Sequence, residues 1–252
     1  MQAMVRQKLH YQLKPVSALK QNERDRMFAL MTANYDGVSL VKFKEDLAWK
    51  QQVILLKDDD DVIQGFSTLA INPRGTGSPD YTILYTGDTI IEPAYWGSQE
   101  LVKAFCVTAG QILAANSNKR LYWYLISKGH RTYLYLPLFF KKYYPSLNSK
   151  DEDLEFFAIV DRCSKQLFGN AWDASSGILS FAESQGCLNK QLAQSTYARA
   201  HHPHVEHFLK LNSKFHQGDE LVCLAEISEQ NMRRMAQLYL IQGIRHRGDI
   251  SW

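Results

Sequence analysis

The stretch Tyr81–Ala115 (YTILYTGDTIIEPAYWGSQELVKAFCVTAGQILAA) does most to limit what this chain can fold into. Residues Tyr81–Ile91 are dense in Tyr, Thr and Ile, side chains that suit a pleated surface, and predict a strand with Gly87 as a candidate bulge. Leu101, Val102, Phe105, Cys106, Ala109, Ile112 and Leu113 then recur at the intervals of one helix face. Pro93 ends the strand because it has no N–H to give a ladder, and Ser98 is the candidate N-cap of a helix over Gln99–Ala115. A strand entering a helix through Gly97 leaves N–H groups at the positive end of a helix dipole. That junction reads either as a seat for a phosphate or as an ordinary connection.

The elements around this unit follow from the same signals. Leu9–Leu13 predicts a first strand, Ser17–Thr32 a helix, and Leu40–Trp49 a second, short helix. Val53–Leu56 and Val62–Ile71 predict strands joined through the acidic run Asp58–Asp61, which reads as a solvated hairpin turn rather than a calcium loop because spaced ligands are missing. Pro73–Pro79 predicts a mobile loop. Leu121–Ser127 is apolar on both faces, as in the middle of a covered sheet, and a helix is predicted from about Leu136 to Tyr143. Beyond it, Leu154–Phe168 predicts an amphipathic helix, Gly177–Phe181 and Asp219–Ile227 strands, and Glu229–Ile241 a closing helix.

This order, and three local patterns, resemble the GNAT family of N-acetyltransferases over roughly residues 9 to 145. Ile91-Glu92-Pro93-Ala94-Tyr95-Trp96-Gly97-Ser98-Gln99 is similar to the family's strand end and pyrophosphate loop, with Trp96 at the usual basic position and Gln99 at the second glycine. Val62–Ile71 resembles its third strand. Leu138–Tyr144 resembles its L-Y-E-K-x-G-F signature, with Phe139 in place of the tyrosine that protonates the departing thiolate and Tyr143 in place of the glycine. The resemblance implies a mixed α/β fold with a mostly antiparallel central sheet and helices on both faces. It implies a core over residues 1–150, completed by an extension over 151–252, in which Tyr81–Ile91 and Leu121–Ser127 are adjacent parallel strands.

The activity implied is transfer of an acyl group from acetyl-CoA or another acyl-CoA, or from an acyl carrier protein, to a small-molecule or carrier-bound amine. The coenzyme is then expected along Ile90 and Ile91, on the amides of Trp96, Gly97, Ser98 and Gln99, and against Ser127 and Thr132. Amine acylation needs a base, and Asp88 is the first candidate because Thr-Gly-Asp-Thr embeds a carboxylate in an apolar strand, where desolvation raises its pKa. Its alternative is a structural carboxylate bonded to Thr86 or Thr89. Glu92 is the second candidate base, with His130 as a further fallback, and the thiolate's proton is expected from water, the coenzyme's own groups, or a hydroxyl such as Tyr135 or Tyr143. The rival reading is a non-catalytic member of the fold that serves as a binding module.

Other chemistries are weaker. His201-His202-Pro203-His204 with Glu206 and His207 lacks an H-E-x-x-H pattern or a cysteine pair, and a helix starting near Pro203 explains it without a metal. His130-Arg131 reads as a solvent-facing loop pair. Cys106 lies mid-helix rather than at a helix start, which argues against a cysteine–histidine hydrolase. Net charge is +3 over 252 residues, too small to imply nucleic acid. No apolar run approaches a bilayer span, and the N-terminus lacks a hydrophobic signal core. The scattered cysteines read as free thiols, and the expected location is cytoplasmic.

Overall fold

The computed structural model describes residues 8–116, 118–148 and 154–246. In chain order the elements are β1 (His10–Pro15), α1 (Gln21–Asn34), β2 (Tyr35–Asp36), α2 (Leu40–Ala48), β3 (Gln52–Lys57), β4 (Ile63–Ile71), β5 (Tyr81–Ile91), α3 (Glu100–Ala115) and β6 (Arg120–Ser127). There follow α4 (His130–Tyr133), α5 (Tyr135–Phe139), α6 (Leu154–Phe168), β7 (Trp172–Asp173), β8 (Ile178–Leu179), β9 (Cys187–Leu188), α7 (Lys190–Ala198), α8 (Pro203–Leu211), β10 (Glu220–Ile227) and α9 (Arg234–Arg245). The fold is mixed α/β. An eight-stranded sheet runs β1-β3-β4-β5-β6-β10-β8-β7, antiparallel throughout except for the parallel pair β5–β6, while β2 and β9 form a separate two-stranded ribbon.

Side-chain alternation sets the layers. Leu84, Leu121, Trp123, Leu125 and Cys223 point to one face, where they pack under α3, α5, α8 and α9. Ile83, Tyr85, Tyr122, Tyr124 and Leu224 point to the other, where they meet α6. Farther along that second face, Val53, Leu55, Phe66 and Ile90 meet α1 and α2. The second face therefore carries two apolar clusters side by side. The C-terminal segment is integral to the sheet, since β10 lies between β6 and β8 and α9 packs against α3 at backbone contact. A Cβ on Gly243 would run into the Val107 carbonyl, and one on Gly110 into the Leu240 carbonyl.

Several expectations shift. The first helix starts at Gln21, because Val16–Ala18 is a short 3-10 turn and the Glu23 carboxylate accepts from the Lys20 amide at 2.8 Å, fixing the helix entry there. The segment Pro73–Pro79 is pinned rather than mobile: Pro73–Gly75 is a 3-10 turn, and the Arg162 guanidinium donates to the carbonyls of Thr76 and Gly77. The helix expected over Leu136–Tyr143 instead starts as α4 at His130 and ends with α5 at Phe139. After it the chain turns extended and bridges Phe140 to Met232 and Tyr144 to Leu224. Asn231 takes part in holding that segment, accepting from the Lys142 amide and donating to the Lys142 carbonyl, so α9 starts only at Arg234.

Candidate active site

The parallel pair opens where it matters. β5 and β6 stay in register from Tyr81↔Arg120 to Thr86↔Leu125 and then part: β5 continues beside β4 alone, and β6 beside β10 alone. The parting coincides with an irregularity in the β4–β5 ladder. Ser67 pairs with Thr89 and Leu69 with Thr86, so Gly87 and Asp88 together oppose the single residue Thr68. Such a bulge re-aims the side chain that follows it. A Cβ on Gly87 would sit 2.7 Å from both the Lys50 ammonium and the Thr68 hydroxyl, so glycine is what lets Lys50 lie across the bulge.

Three cavities meet in the gap, and Thr89 and Thr132 line all of them. The largest, about 260 Å³, lies where the two apolar clusters of the second face fail to meet. Its walls combine Trp49, Tyr85, Phe168 and Phe181 with Asp46, Asp88, Lys128 and Glu220. A second, of about 70 Å³, runs from Ile90, Ile91 and Trp96 to His130 and Arg131. The third, about 30 Å³, lies toward α3 and is lined by Phe105, Trp123, Tyr135 and Phe139.

Asp88 stands out electrostatically. The two threonine hydroxyls of β5 nearest it are engaged elsewhere: Trp123 Nε1 donates to Thr86 at 2.8 Å, and Thr89 bonds Ser67 at 2.8 Å. Lys50, its side chain buried, is held by Asp46 at 2.6 Å and lies 3.8 Å from the Trp49 ring centroid. Lys128 is held by Glu220 at 3.0 Å. Desolvation pushes the Asp88 carboxyl up to about 7, with Asp46 and Glu220 adding repulsion and Lys50 and Lys128 offsetting part of it. The result is a carboxyl facing a cavity and titrating near neutrality, the condition a general base requires. The bulge and the surrounding ion pairs, rather than hydroxyl bonds, define its setting.

The other predicted residues divide. Ile90, Ile91, Trp96 and Thr132 line the second cavity, and Tyr135 lines the third, stacked on Phe139 with ring centroids 5.7 Å apart. Burial raises the Tyr135 phenol to about 12, so it stays protonated as a donor. Glu92 lines none of the three cavities and is paired with Arg26 at 3.2 Å. Ser127 is buried, outside the three cavities, donating to the Gly129 carbonyl at 2.7 Å. In the loop expected to carry a pyrophosphate, the Trp96 amide donates to Pro93 and the Ser98 amide to Tyr95, while Gly97 and Gln99 make no amide bond among the described residues. Ser98 caps only weakly, accepting from the Glu100 amide at 3.2 Å, and Gln99 occupies the N-cap. Tyr143 points its hydroxyl to His204 at 3.4 Å and is core.

Sequence reasoning missed Asp46, Lys50, Lys128 and Glu220, which come from three separate segments. It also misplaced His130, which is buried, bonded through Nδ1 to Thr196 at 2.9 Å and pushed down to about 4 by desolvation and by Arg131, Arg199 and His202. Pro203 does start α8, as the histidine run suggested, and no group of three metal-ligating side chains occurs among the described residues. No described helix is long and apolar enough to cross a membrane.

No family model and no curated protein matches the chain. Among solved structures, it is similar to a conserved protein of unknown function from Enterococcus faecalis V583, described as a probable N-acyltransferase. That match has 14% identity and a TM-score of 0.37, over 53% of this chain and 33% of that one. It is also similar to the GNAT family N-acetyltransferase YhbS from Escherichia coli, solved in complex with CoA, at 14% identity and a TM-score of 0.35, over 53% of this chain and 70% of that one. At these scores the likeness is partial, and the site stands on its own geometry.

Proposed function

We propose that this protein transfers an acyl group from a pantetheine thioester, carried by CoA or by an acyl carrier protein, to an amine bound in the 260 Å³ cavity. The observation that carries the reading is the parting of β5 and β6 beside Asp88, a carboxyl pushed up to about 7, with Thr89 and Thr132 shared by the linings of the three cavities around it. In the reaction the amine nitrogen attacks the thioester carbonyl carbon, the C–N bond forms, and the C–S bond breaks. The ammonium proton passes to Asp88, and the departing thiolate takes a proton from Tyr135 or from water. Tyr135 fits this role because it shares the third cavity with Phe139, which has no proton to give.

Release of free thiol from acetyl-CoA, followed across a panel of primary amines, tests the reading. An active amine is expected, and Asp88→Asn should lower its turnover about a hundredfold while leaving donor affinity nearly intact. Donor binding without turnover for any amine would support the rival, a binding module that has kept the gap. Phe139 and the self-bonded amides of Trp96 and Ser98 are what favour that rival.

A further inference from the structure

The second cavity carries positive charge without a counter-charge. The Arg131 guanidinium carbon lies over the Trp96 indole, 3.5 Å from the ring centroid, so the loop from β5 and the helix after β6 meet across the gap. Its Nε is buried with no hydrogen-bond partner, as is Nε2 of His130 beside it, and His130 is 1% exposed. Arg131 forms no ion pair among the described residues; Arg199, exposed just after α7 and outside the lining of the three cavities, adds positive charge to its surroundings. His202 adds to the same field. Elsewhere around the gap cations are neutralised, Lys42 by Glu183, Lys50 by Asp46 and Lys128 by Glu220. An unpaired cation in a cavity wall, with further positive charge around it and no acid against it, raises the local potential for an anion. A guanidinium packed on Trp96 and without an ion pair keeps donors to offer an oxyanion. The unengaged amides of Gly97 and Gln99 follow Trp96 on the same loop.

We propose that Arg131 and Arg199 hold the phosphate of the acyl donor at the mouth of the second cavity, in place of a seat built on the loop amides alone. This rests on the acyl-transfer reading above. The phosphate on the pantetheine arm is common to CoA and to an acyl carrier, so the seat serves either donor. Arg199 lies beyond the part of the chain that resembles N-acetyltransferases, so donor recognition has moved partly into the C-terminal segment. The arm would then run between Thr89 and Thr132, the residues shared by all three cavities, toward Asp88.

Calorimetry tests this with acetyl-CoA, a phosphopantetheinylated acyl carrier, acetyl-pantetheine lacking the phosphate, and inorganic pyrophosphate. Arg131→Gln should weaken acetyl-CoA or carrier binding about tenfold, and Arg199→Gln about threefold, with a shallower salt dependence in each. Acetyl-pantetheine should bind all three proteins equally. Arg199 is exposed, so its variant reports on the seat even if Arg131→Gln disturbs folding. Whichever donor shows the Arg131 dependence is the source of the phosphate. Unchanged donor affinity in both variants overturns the seat and leaves the acyl-transfer reading standing. Pyrophosphate binding that is lost in both variants, with neither donor bound by the wild type, keeps an anion seat but overturns the donor assignment.

Discussion

Replacing Asp88 by Asn should stabilise the protein at neutral and alkaline pH. An ordinary aspartate titrates near 3.8, whereas this one is raised to about 7 by burial and by Asp46 and Glu220. The folded state therefore binds a proton more tightly than the unfolded chain. Between those two values folded protein is protonated where unfolded protein is not, so stability falls as pH rises through the window. Above about 7 the full cost of holding a charged Asp88 is present, and below 3.8 none of it is. At 1.36 kcal/mol per pH unit the ceiling is about 4 kcal/mol at pH 8 and about 2 kcal/mol at pH 5. Water entering the cavity softens the desolvation, so about half of each figure is expected.

Asn keeps the shape and removes the charge. Urea unfolding of wild type and Asp88→Asn should give a gain of about 2 kcal/mol at pH 8, roughly 4–8 °C in melting temperature for a chain of this size, shrinking to about 1 kcal/mol at pH 5. The attraction to Lys50 and Lys128 is lost in the variant, but it is already included in the net rise to about 7. A site that destabilises the fold it sits in is expected where function, not stability, fixed the residue. An equal gain at both pH values, or a variant less stable at pH 8, would refute this: Asp88 would then be a paired structural carboxylate, and the base would have to be sought elsewhere.

Glu220→Gln removes one source of repulsion and frees Lys128, so the Asp88 carboxyl should move back toward its ordinary value. The acid limb of the pH–rate profile is then expected about one pH unit lower, read from turnover between pH 5 and 9. Gly243→Ala drives a methyl group into the Val107 carbonyl where α9 crosses α3, and backbone cannot yield as a side chain would. It should cost about 2 kcal/mol or more in urea unfolding.

Much of the frame was legible because periodicity reports burial directly. β5, α3, β6 and β10 each present an apolar pattern of the right period, and the parallel pairing of β5 with β6 is as the resemblance implied. Asp88 was legible too, as a carboxylate inside an apolar strand. Its partners were not. Lys128 reads as a loop residue after β6, and only β10, many residues later, supplies Glu220 to hold it. His130 and Arg131 read as a solvent pair because the α7 threonine that buries His130 is 66 positions away. The first helix was expected from Ser17 but starts at Gln21, because the bond that fixes its entry runs from the Lys20 amide to the Glu23 carboxylate.

The same distance effect explains why the gap can be polar without collapsing. Parallel strands that part expose N–H and C=O groups, and a buried gap lined with charge would ordinarily favour closure or water entry. Here each wall is secured from the outside. The β5 bulge accommodates Lys50 over Gly87, β10 fixes Lys128 through Glu220, and Arg131 spans to Trp96 from the opposite lip. The ribbon of β2 and β9 ties the α1 end to α7 across the mouth, with Asn189 donating to the Ala33 carbonyl at 2.9 Å. Three of these restraints, through Glu220, β9 and Asn189, come from beyond residue 153. It is therefore the C-terminal segment that turns a parted sheet into a walled site, and loosening it should open the cavity before it unfolds the core.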